Sequence, residues 1–147
     1  MKLGLIGLGK MGMNLALNMV DHNISVLGYD KYLSEDTKKT LEEIELASSI
    51  KDMIKELETP RIIWVMVSSG TVTETVLKEL RELLDEGDIV LDGGNSRYTD
   101  SIKREVLFKN KGLHFLDVGT SGGQDWARNG ACLMVGGEKE VFNLLEP

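Results

Sequence analysis

MKLGLIGLGKMGMNL, residues 1–15, is a short apolar run, then glycines at positions 7, 9 and 12, then a stretch rich in Leu, Met and Ala. Glycine weakens strands and helices alike. Three of them between a strand-like and a helix-like segment need another reason: a tight turn, or a ligand pressed against the backbone. Gly7-Leu8-Gly9-Lys10-Met11-Gly12 fits G-x-G-x-x-G, and it leaves a strand candidate (Lys2 to Ile6) and opens a helix candidate (Met11 to Val20). In that context Gly7 makes the turn, Gly9 admits a pyrophosphate and Gly12 lets helix pack on strand, with the phosphate held at the helix start. A third element agrees. Asp30 ends the next apolar run, Ile24 to Tyr29, 18 positions after Gly12, close to the ~20-residue spacing of a ribose-binding acid. A glycine turn without a ligand leaves Asp30 unexplained.

Outward from this motif the pattern repeats. Leu33 to Leu46 is polar, with helix formers from Asp36, and Glu42-Glu43-Ile44-Glu45 reads as a solvated helix face. Ser49 can cap a helix over Ile50 to Leu57, stopped by Thr59-Pro60. RIIWVMV (61–67) and DIVL (88–91) read as strands buried on both faces. Between them, Thr71 to Leu84 is an amphipathic helix with Val72, Val76, Leu80 and Leu83 or Leu84 on one face. A helix over Ser101 to Phe108, strands over Leu113 to Val118 and Ala131 to Val135, and a helix over Glu138 to Leu145 complete the chain. Helices alternating with wholly apolar strands predict an α/β, Rossmann-type doubly wound, mainly parallel sheet with helices on both faces.

Composition narrows the function. The 147 residues fit one domain, and the net charge of −7 without a basic cluster argues against nucleic acid and anionic membranes. No apolar run approaches the ~20 residues of a membrane span, and the glycines interrupt what would be a signal sequence. One cysteine, Cys132, forms no internal disulfide and reads as a buried thiol; with His22 and His114 it gives no zinc-ligand spacing. A cytoplasmic protein without a metal site is expected. Trp64 and Met11, Met19, Met66 and Met134 read as packing, His114 as a core or edge histidine and Lys10 as an electrostatic or solvated group; Trp126 is a candidate contact for a further domain.

Ligands of open α/β sheets bind beyond the carboxyl ends of the strands. Three small, polar, glycine-bearing loops follow strands there: Ser68-Ser69-Gly70-Thr71, Asp92-Gly93-Gly94-Asn95-Ser96 and Gly119-Thr120-Ser121-Gly122-Gly123-Gln124. Ordinary turn chemistry explains any one of them. Three on the edge that carries Gly7 to Gly12 suit a carboxylate or hydroxylated substrate, with Asn95 and Ser121 as neutral donors and acceptors.

GLGKMGMNLALN (7–18), LDGGNS (91–96) and GTSGG with ARNGACLMVGG (119–137) together resemble 6-phosphogluconate dehydrogenase, and Tyr29-Asp30 with WVMVSSG is most similar to its shorter-chain NAD-type branch. The resemblance covers essentially the whole chain. It implies that Gly7, Gly9, Lys10, Met11 and Gly12 line the pyrophosphate and that Asp30 holds the adenosine ribose. It places Val67 and Ser68 at the adenine and nicotinamide-side ribose, and Asn95 between nicotinamide and substrate. Ser121, Gly122 and Gly123 would hold the sugar acid near its carboxylate. The chain departs from the family at Thr120, where an apolar residue is frequent. It also departs at Asp30-Lys31-Tyr32, where NADP-type members carry an asparagine-arginine-threonine-like stretch. NAD is therefore expected over NADP: a carboxylate accepts ribose hydroxyls and repels a phosphate, and Lys31 only partly offsets that.

The family reaction is oxidative decarboxylation of 6-phosphogluconate to ribulose 5-phosphate. Its base is a lysine and its acid a glutamate, both from a helix after the nucleotide domain, and that motif is not in these 147 residues. The expectation is a dinucleotide-binding domain over 1–147 that binds cofactor without turnover, its helical catalytic and dimerisation domain lying outside the chain, with a homo-oligomeric whole enzyme. The alternatives are a 3-hydroxyisobutyrate-type dehydrogenase domain, against which LDGGNS argues, and a non-catalytic NAD-sensing module, which has no use for Asn95, Ser121, Gly122 and Gly123 on one edge.

Overall fold

The computed structural model describes residues 2–67, 70–94, 97–121, 128–130, 132–137 and 139–145, with the backbone alone for Tyr98, Thr120, Ser121, Cys132, Leu133, Met134 and Leu144. Seven strands, β1 (Lys2–Ile6), β2 (Ser25–Tyr29), β3 (Glu45–Leu46), β4 (Ile62–Val65), β5 (Ile89–Asp92), β6 (His114–Ser121) and β7 (Cys132–Gly136), form one sheet in the order β3-β2-β1-β4-β5-β6-β7. Every pairing is parallel except β6 with β7. The helices are α1 (Lys10–Asp21), α2 (Glu35–Thr40), α3 (Ile50–Glu56), α4 (Thr71–Leu83), α5 (Tyr98–Lys109) and α6 (Lys139–Leu145). This is the expected doubly wound architecture.

The apolar strand runs follow from burial on both faces. Leu5, Trp64, Leu91 and Leu116 are register partners across β1, β4, β5 and β6, and all belong to the core cluster that includes Leu15, Ala16 and Met19 of α1 and Val141 of α6. The next row, Gly4, Ile63, Val90 and Phe115, faces the other way. Its side chains join Met53 of α3, Leu77 and Leu80 of α4 and Phe108 of α5. A strand with a core on each side has no polar face to show.

Three expectations are corrected. The polar segment before Ala47 is not one helix. Ser34 caps α2, its side chain accepting from the Thr37 N–H, and the helix ends at Thr40 because Leu41 and Ile44 turn inward, both buried. Glu45 and Leu46 then add an edge strand to β2, closed by the Ala47 N–H donating to the Gly28 carbonyl at 2.8 Å. Glu42 and Glu43 are solvated as expected, but in a turn. The buried stripe of α4 is Thr73, Leu77 and Leu80, continued by Leu84, while Val72 is 52% exposed. Leu80 and Leu84 are buried and Val76 and Leu83 pack against the second core cluster, as expected; Thr73 and Leu77 complete the face, and Val72 is the one member of the expected series left exposed. Finally, β6 runs through Ser121, so Gly119 and Thr120 are strand residues paired with Met134 and Leu133 of β7. Gly119, Thr120 and Ser121, expected in the third glycine-bearing loop, are therefore strand residues, and Gly122 to Gln124 lie outside the described residues.

Ser49 caps α3 as expected, accepting from the Asp52 N–H at 3.0 Å. Trp64 is buried, and Met19 and Met66 belong to or pack against the first cluster. His114 opens β6 at the sheet edge opposite the strands' carboxyl ends, its N–H donating to the Asp88 carbonyl. The expectation for the Cys132 thiol concerns a side chain outside those described, as does Trp126. No described helix is long and apolar enough to cross a membrane, and the described residues hold no cluster of three metal-ligating side chains.

Candidate dinucleotide site

The carboxyl ends of the parallel strands are level. Ile6 is in register with Tyr29 and Val65, Val65 with Asp92, and Asp92 with Asp117. The ladder extends one residue further: the N–H groups of Gly7, Met66 and Gly93 donate to the carbonyls of Tyr29, Ile6 and Val65 at 2.7–2.8 Å. Gly7, Asp30, Met66 and Gly93 thus stand side by side on one crest. The register gathers there what sequence separates by more than 80 positions.

The three fingerprint glycines have three different surroundings. Gly7 has φ +98°, and a Cβ there would overlap the Met66 carbonyl oxygen and meet Val67 Cγ1 at 3.0 Å. A Cβ at Gly12 would overlap the Gly7 carbonyl oxygen. Chain folding alone therefore demands glycine at both. At Gly9, the N-cap of α1, nothing lies within 4 Å of an added Cβ. The protein's own packing leaves that space open, which is what close approach of a ligand requires. Helix α1 begins with no side-chain cap and no acidic residue in its first turn, and Met13 is the first residue whose N–H reaches an acceptor, the Gly9 carbonyl at 2.8 Å. The N–H groups of Lys10, Met11 and Gly12 are left as donors for an anion. Lys10 is exposed and Met11 half-buried at this helix start.

Asp30 is half-buried and already engaged. Its Oδ2 accepts the Leu8 N–H at 2.8 Å and its Oδ1 the Tyr32 N–H at 2.9 Å. The carboxylate fixes the phosphate loop as well as the end of β2. An ionised carboxylate offers about four lone-pair directions, so each oxygen keeps capacity for a hydroxyl. Beside it opens a cavity of about 500 Å³ lined by Tyr29, Asp30, Lys31, Leu33, Lys38 and Ser48, among others. Lys38 pairs with Glu35 at 3.2 Å, and Lys31 Nζ lies 5.6 Å from the Tyr32 ring centroid.

At the β5 end Gly94 is enclosed: a Cβ there would lie 2.8 Å from the Val67 carbonyl oxygen, 3.2 Å from Asp92 Oδ1 and 3.3 Å from Thr73 Oγ1. Val67 is therefore near both Gly7 and Gly94. Asp92 is fully buried and holds the Gly94 N–H at 3.0 Å. Asp117, its register partner on β6, has its carboxyl pushed up from the ordinary range by burial first and by the Asp92 charge second. Ser101 and Arg104 partly offset this. Sequence reading missed Asp92, Arg104, Thr73 and Glu74 as site residues. Asp92 stood inside the LDGGNS motif, but nothing in the spacing announced its partner twelve residues on.

Ser68, Asn95, Gly122 and Gly123 lie outside the described residues. The backbone of Ser121 stands four residues past Asp117, about 13 Å higher at ~3.3 Å per strand residue. The structure thus brings together Gly7, Gly9, Lys10, Met11, Gly12, Asp30 and Val67, and sets Ser121 above their level.

Comparison with known proteins agrees with this geometry. Residues 2–147 match the family model described as the NAD binding domain of 6-phosphogluconate dehydrogenase. YqeC of Bacillus subtilis (strain 168) is 45% identical over 147 residues, covering 100% of this chain and 49% of YqeC. The NAD(+)-dependent, decarboxylating 6-phosphogluconate dehydrogenase of the same organism is 39% identical, with 99% of this chain and 32% of that protein covered. The Plasmodium falciparum 6-phosphogluconate dehydrogenase, studied with its cofactor NADP+ and its substrate, superposes with a TM-score of 0.90 at 30% identity, covering 99% of this chain and 32% of the enzyme. A Mycobacterium tuberculosis 3-hydroxyisobutyrate dehydrogenase superposes with a TM-score of 0.87 at 21% identity and covers 50% of that chain, a likeness of fold. The chain spans half or less of the length of these relatives. With its glycine crest, its acid at the end of β2 and the matched family model, this chain belongs to the family of the NAD-binding domain of 6-phosphogluconate dehydrogenase.

Proposed function

We infer that this chain is the cofactor-binding part of a decarboxylating 6-phosphogluconate dehydrogenase of the NAD-using kind. The observation that carries the reading is the open cradle at Gly9 between the donor N–H groups of α1 and the Asp30 carboxylate. The residues fit the group. The N–H groups of Lys10, Met11 and Gly12 take the pyrophosphate, with Lys10 adding charge. The free lone pairs of Asp30 accept the adenosine ribose hydroxyls. On the family resemblance, Val67 and Ser68 would border the adenine and the nicotinamide-side ribose, and Asn95 would act between the nicotinamide side and the substrate. Ser121, Gly122 and Gly123 take the sugar-acid carboxylate, consistent with a strand that rises past the cofactor level. The bound dinucleotide supplies a hydride acceptor for the substrate's C3 carbon. The lysine and glutamate that the family resemblance assigns to proton transfer belong to the part of the enzyme this chain does not span, so the chain alone binds but does not turn over.

What supports NAD is the carboxylate of Asp30 at the end of β2, where a ribose-binding acid is expected, while Lys38 is paired with Glu35 and Lys31 lies against Tyr32. The NADP reading rests on the same two lysines lining the cavity beside Asp30. Titrating the chain with NADH and with NADPH decides: tighter NADH binding supports the assignment, and tighter NADPH binding overturns it. Steady NADH production from NAD and 6-phosphogluconate by the chain alone would overturn the division of labour.

A further inference from the structure

The buried charge beneath the β5 loop serves neither the fingerprint nor, on its face, the core. Arg104 of α5 is 3% exposed. Its Nη1 donates to Asp92 Oδ2 at 3.1 Å, and its Nε and Nη2 reach Glu74 Oε1 at 2.6 Å. Asp92 spends its other oxygen on the Gly94 N–H. Glu74 sits in the first turn of α4, directly after the loop that leaves β4. One guanidinium therefore joins the start of α4 to the end of β5, and through Asp92 it holds the Gly94 backbone.

A stabilising role accounts poorly for this arrangement. Removing an arginine and a carboxylate from water costs several kcal/mol per ion, and well-packed apolar groups of similar volume frequently do as well. A planar fork with five fixed donors does something apolar groups do not: it sets distance and direction between two acceptors at once. The site it sets is narrow, since Gly94 is enclosed by the Val67 carbonyl, Asp92 and Thr73. We propose that Arg104, bridging Glu74 and Asp92, is a positioning residue for the nicotinamide half of the dinucleotide site. It holds the Gly93–Gly94 backbone, through the Gly94 N–H on Asp92, at the height the cofactor needs. This rests on the reading above that the β5 loop borders the nicotinamide.

The test separates the two halves of the ligand. NADH and ADP share the adenosine diphosphate that would lie along Gly7 to Gly12 and Asp30, and only NADH reaches the β5 loop. Calorimetric titration of the 147-residue chain with each ligand gives a ratio of affinities. Arg104→Lys keeps a charge but loses the fork, and it is expected to weaken NADH by about tenfold, the loss of one good charged hydrogen bond, with ADP unchanged. Glu74→Gln removes the half-exposed partner and leaves the buried Arg104–Asp92 pair intact, so the fold is kept; a smaller loss, again confined to NADH, is expected. A purely structural role lowers both ligands together, or neither. Equal losses for NADH and ADP, or wild-type NADH affinity in both variants, overturn the inference. If the unaltered chain binds ADP and NADH equally well, the nicotinamide placement itself fails and takes the inference with it.

Discussion

At the residue scale, the fingerprint separates into positions the chain needs and a position the ligand needs. Gly12→Ala forces a methyl group against the Gly7 carbonyl and is expected to cost about 1–3 kcal/mol of stability, as overpacking does, read by denaturant unfolding. Gly9→Ala meets no protein atom. Its unfolding curve should superpose on that of the unaltered chain, while NADH affinity falls tenfold or more (roughly 1.4 kcal/mol per decade). Asp30 calls for a similar distinction. Asp30→Ala strips the Leu8 N–H of its acceptor, at about 1–3 kcal/mol for a buried donor, and so disturbs binding of NADH and NADPH alike. Asp30→Asn keeps one carbonyl oxygen for Leu8 and removes the charge. In that variant the ratio of NADH to NADPH affinity is expected to shift towards NADPH, and calorimetry with both ligands reads it.

Elements place these residues, and two buried ionic clusters divide the sheet by edge. At the amino ends of β4 and β5, Arg61 donates from its backbone N–H and Nη1 to the two oxygens of fully buried Asp88 at 2.7 and 2.9 Å, and from Nε to the Ile54 carbonyl at 2.9 Å. This cluster ties α3 to both strands far from the crest. Asp88→Ala leaves Arg61 largely buried without its main partner and should cost about 3–5 kcal/mol, measured in urea, while the folded fraction keeps its NADH affinity. At the crest, the Asp92–Asp117 register pair carries a different sign. The Asp117 pKa lies higher in the folded chain than in the unfolded one, so the folded state binds more protons there, and stability falls as pH rises through that window. Asp117→Asn is therefore expected to raise Tm at pH 7, with the gain shrinking as pH drops into the ordinary carboxylate range. A pH-independent Tm difference would refute the raised Asp117 pKa, which burial causes first and the Asp92 charge second.

On the scale of the whole molecule, the two cores meet a single continuous sheet, so crest geometry and global folding are linked. A ligand that binds only the folded chain should stabilise it by about 2.7 kcal/mol at one hundred times its Kd. NADH is thus expected to raise Tm in a concentration-dependent way, and Gly9→Ala to reduce the rise at any given NADH concentration by about half or more. No shift with NADH, NADPH or ADP would remove the dinucleotide assignment for the isolated chain.

Local chemistry made a large part of this legible. The period-free apolar runs at 61–67 and 88–91 announced strands with a core on each side, Ser49 announced its helix, and G-x-G-x-x-G with Asp30 announced the crest, because each is a demand that neighbours along the chain make on one another. Other features depended on distant partners. The edge strand Glu45–Leu46 is two exposed residues with no pattern of their own, and it exists because β2 offers an unpaired edge. The face that α4 buries is shifted by what lies beneath it: Thr73, a polar residue beside Gly94, is buried and Val72 is exposed, while Val76, Leu80 and Leu84 face the core as their spacing predicts. β6 outlasts its apolar run because β7 returns antiparallel beside it. Arg104 looked like any helix arginine until the β5–α5 connection folded it under Asp92. Sequence by itself determined most of the element types, the alternation that makes the sheet mainly parallel and the glycine-lined turn, since those follow from propensity, periodicity and backbone sterics. Only the tertiary structure decided which carboxylates meet, which guanidinium joins them and how high each loop stands, because hydrogen bonds and desolvation act between groups the chain brings together, whatever their distance along it.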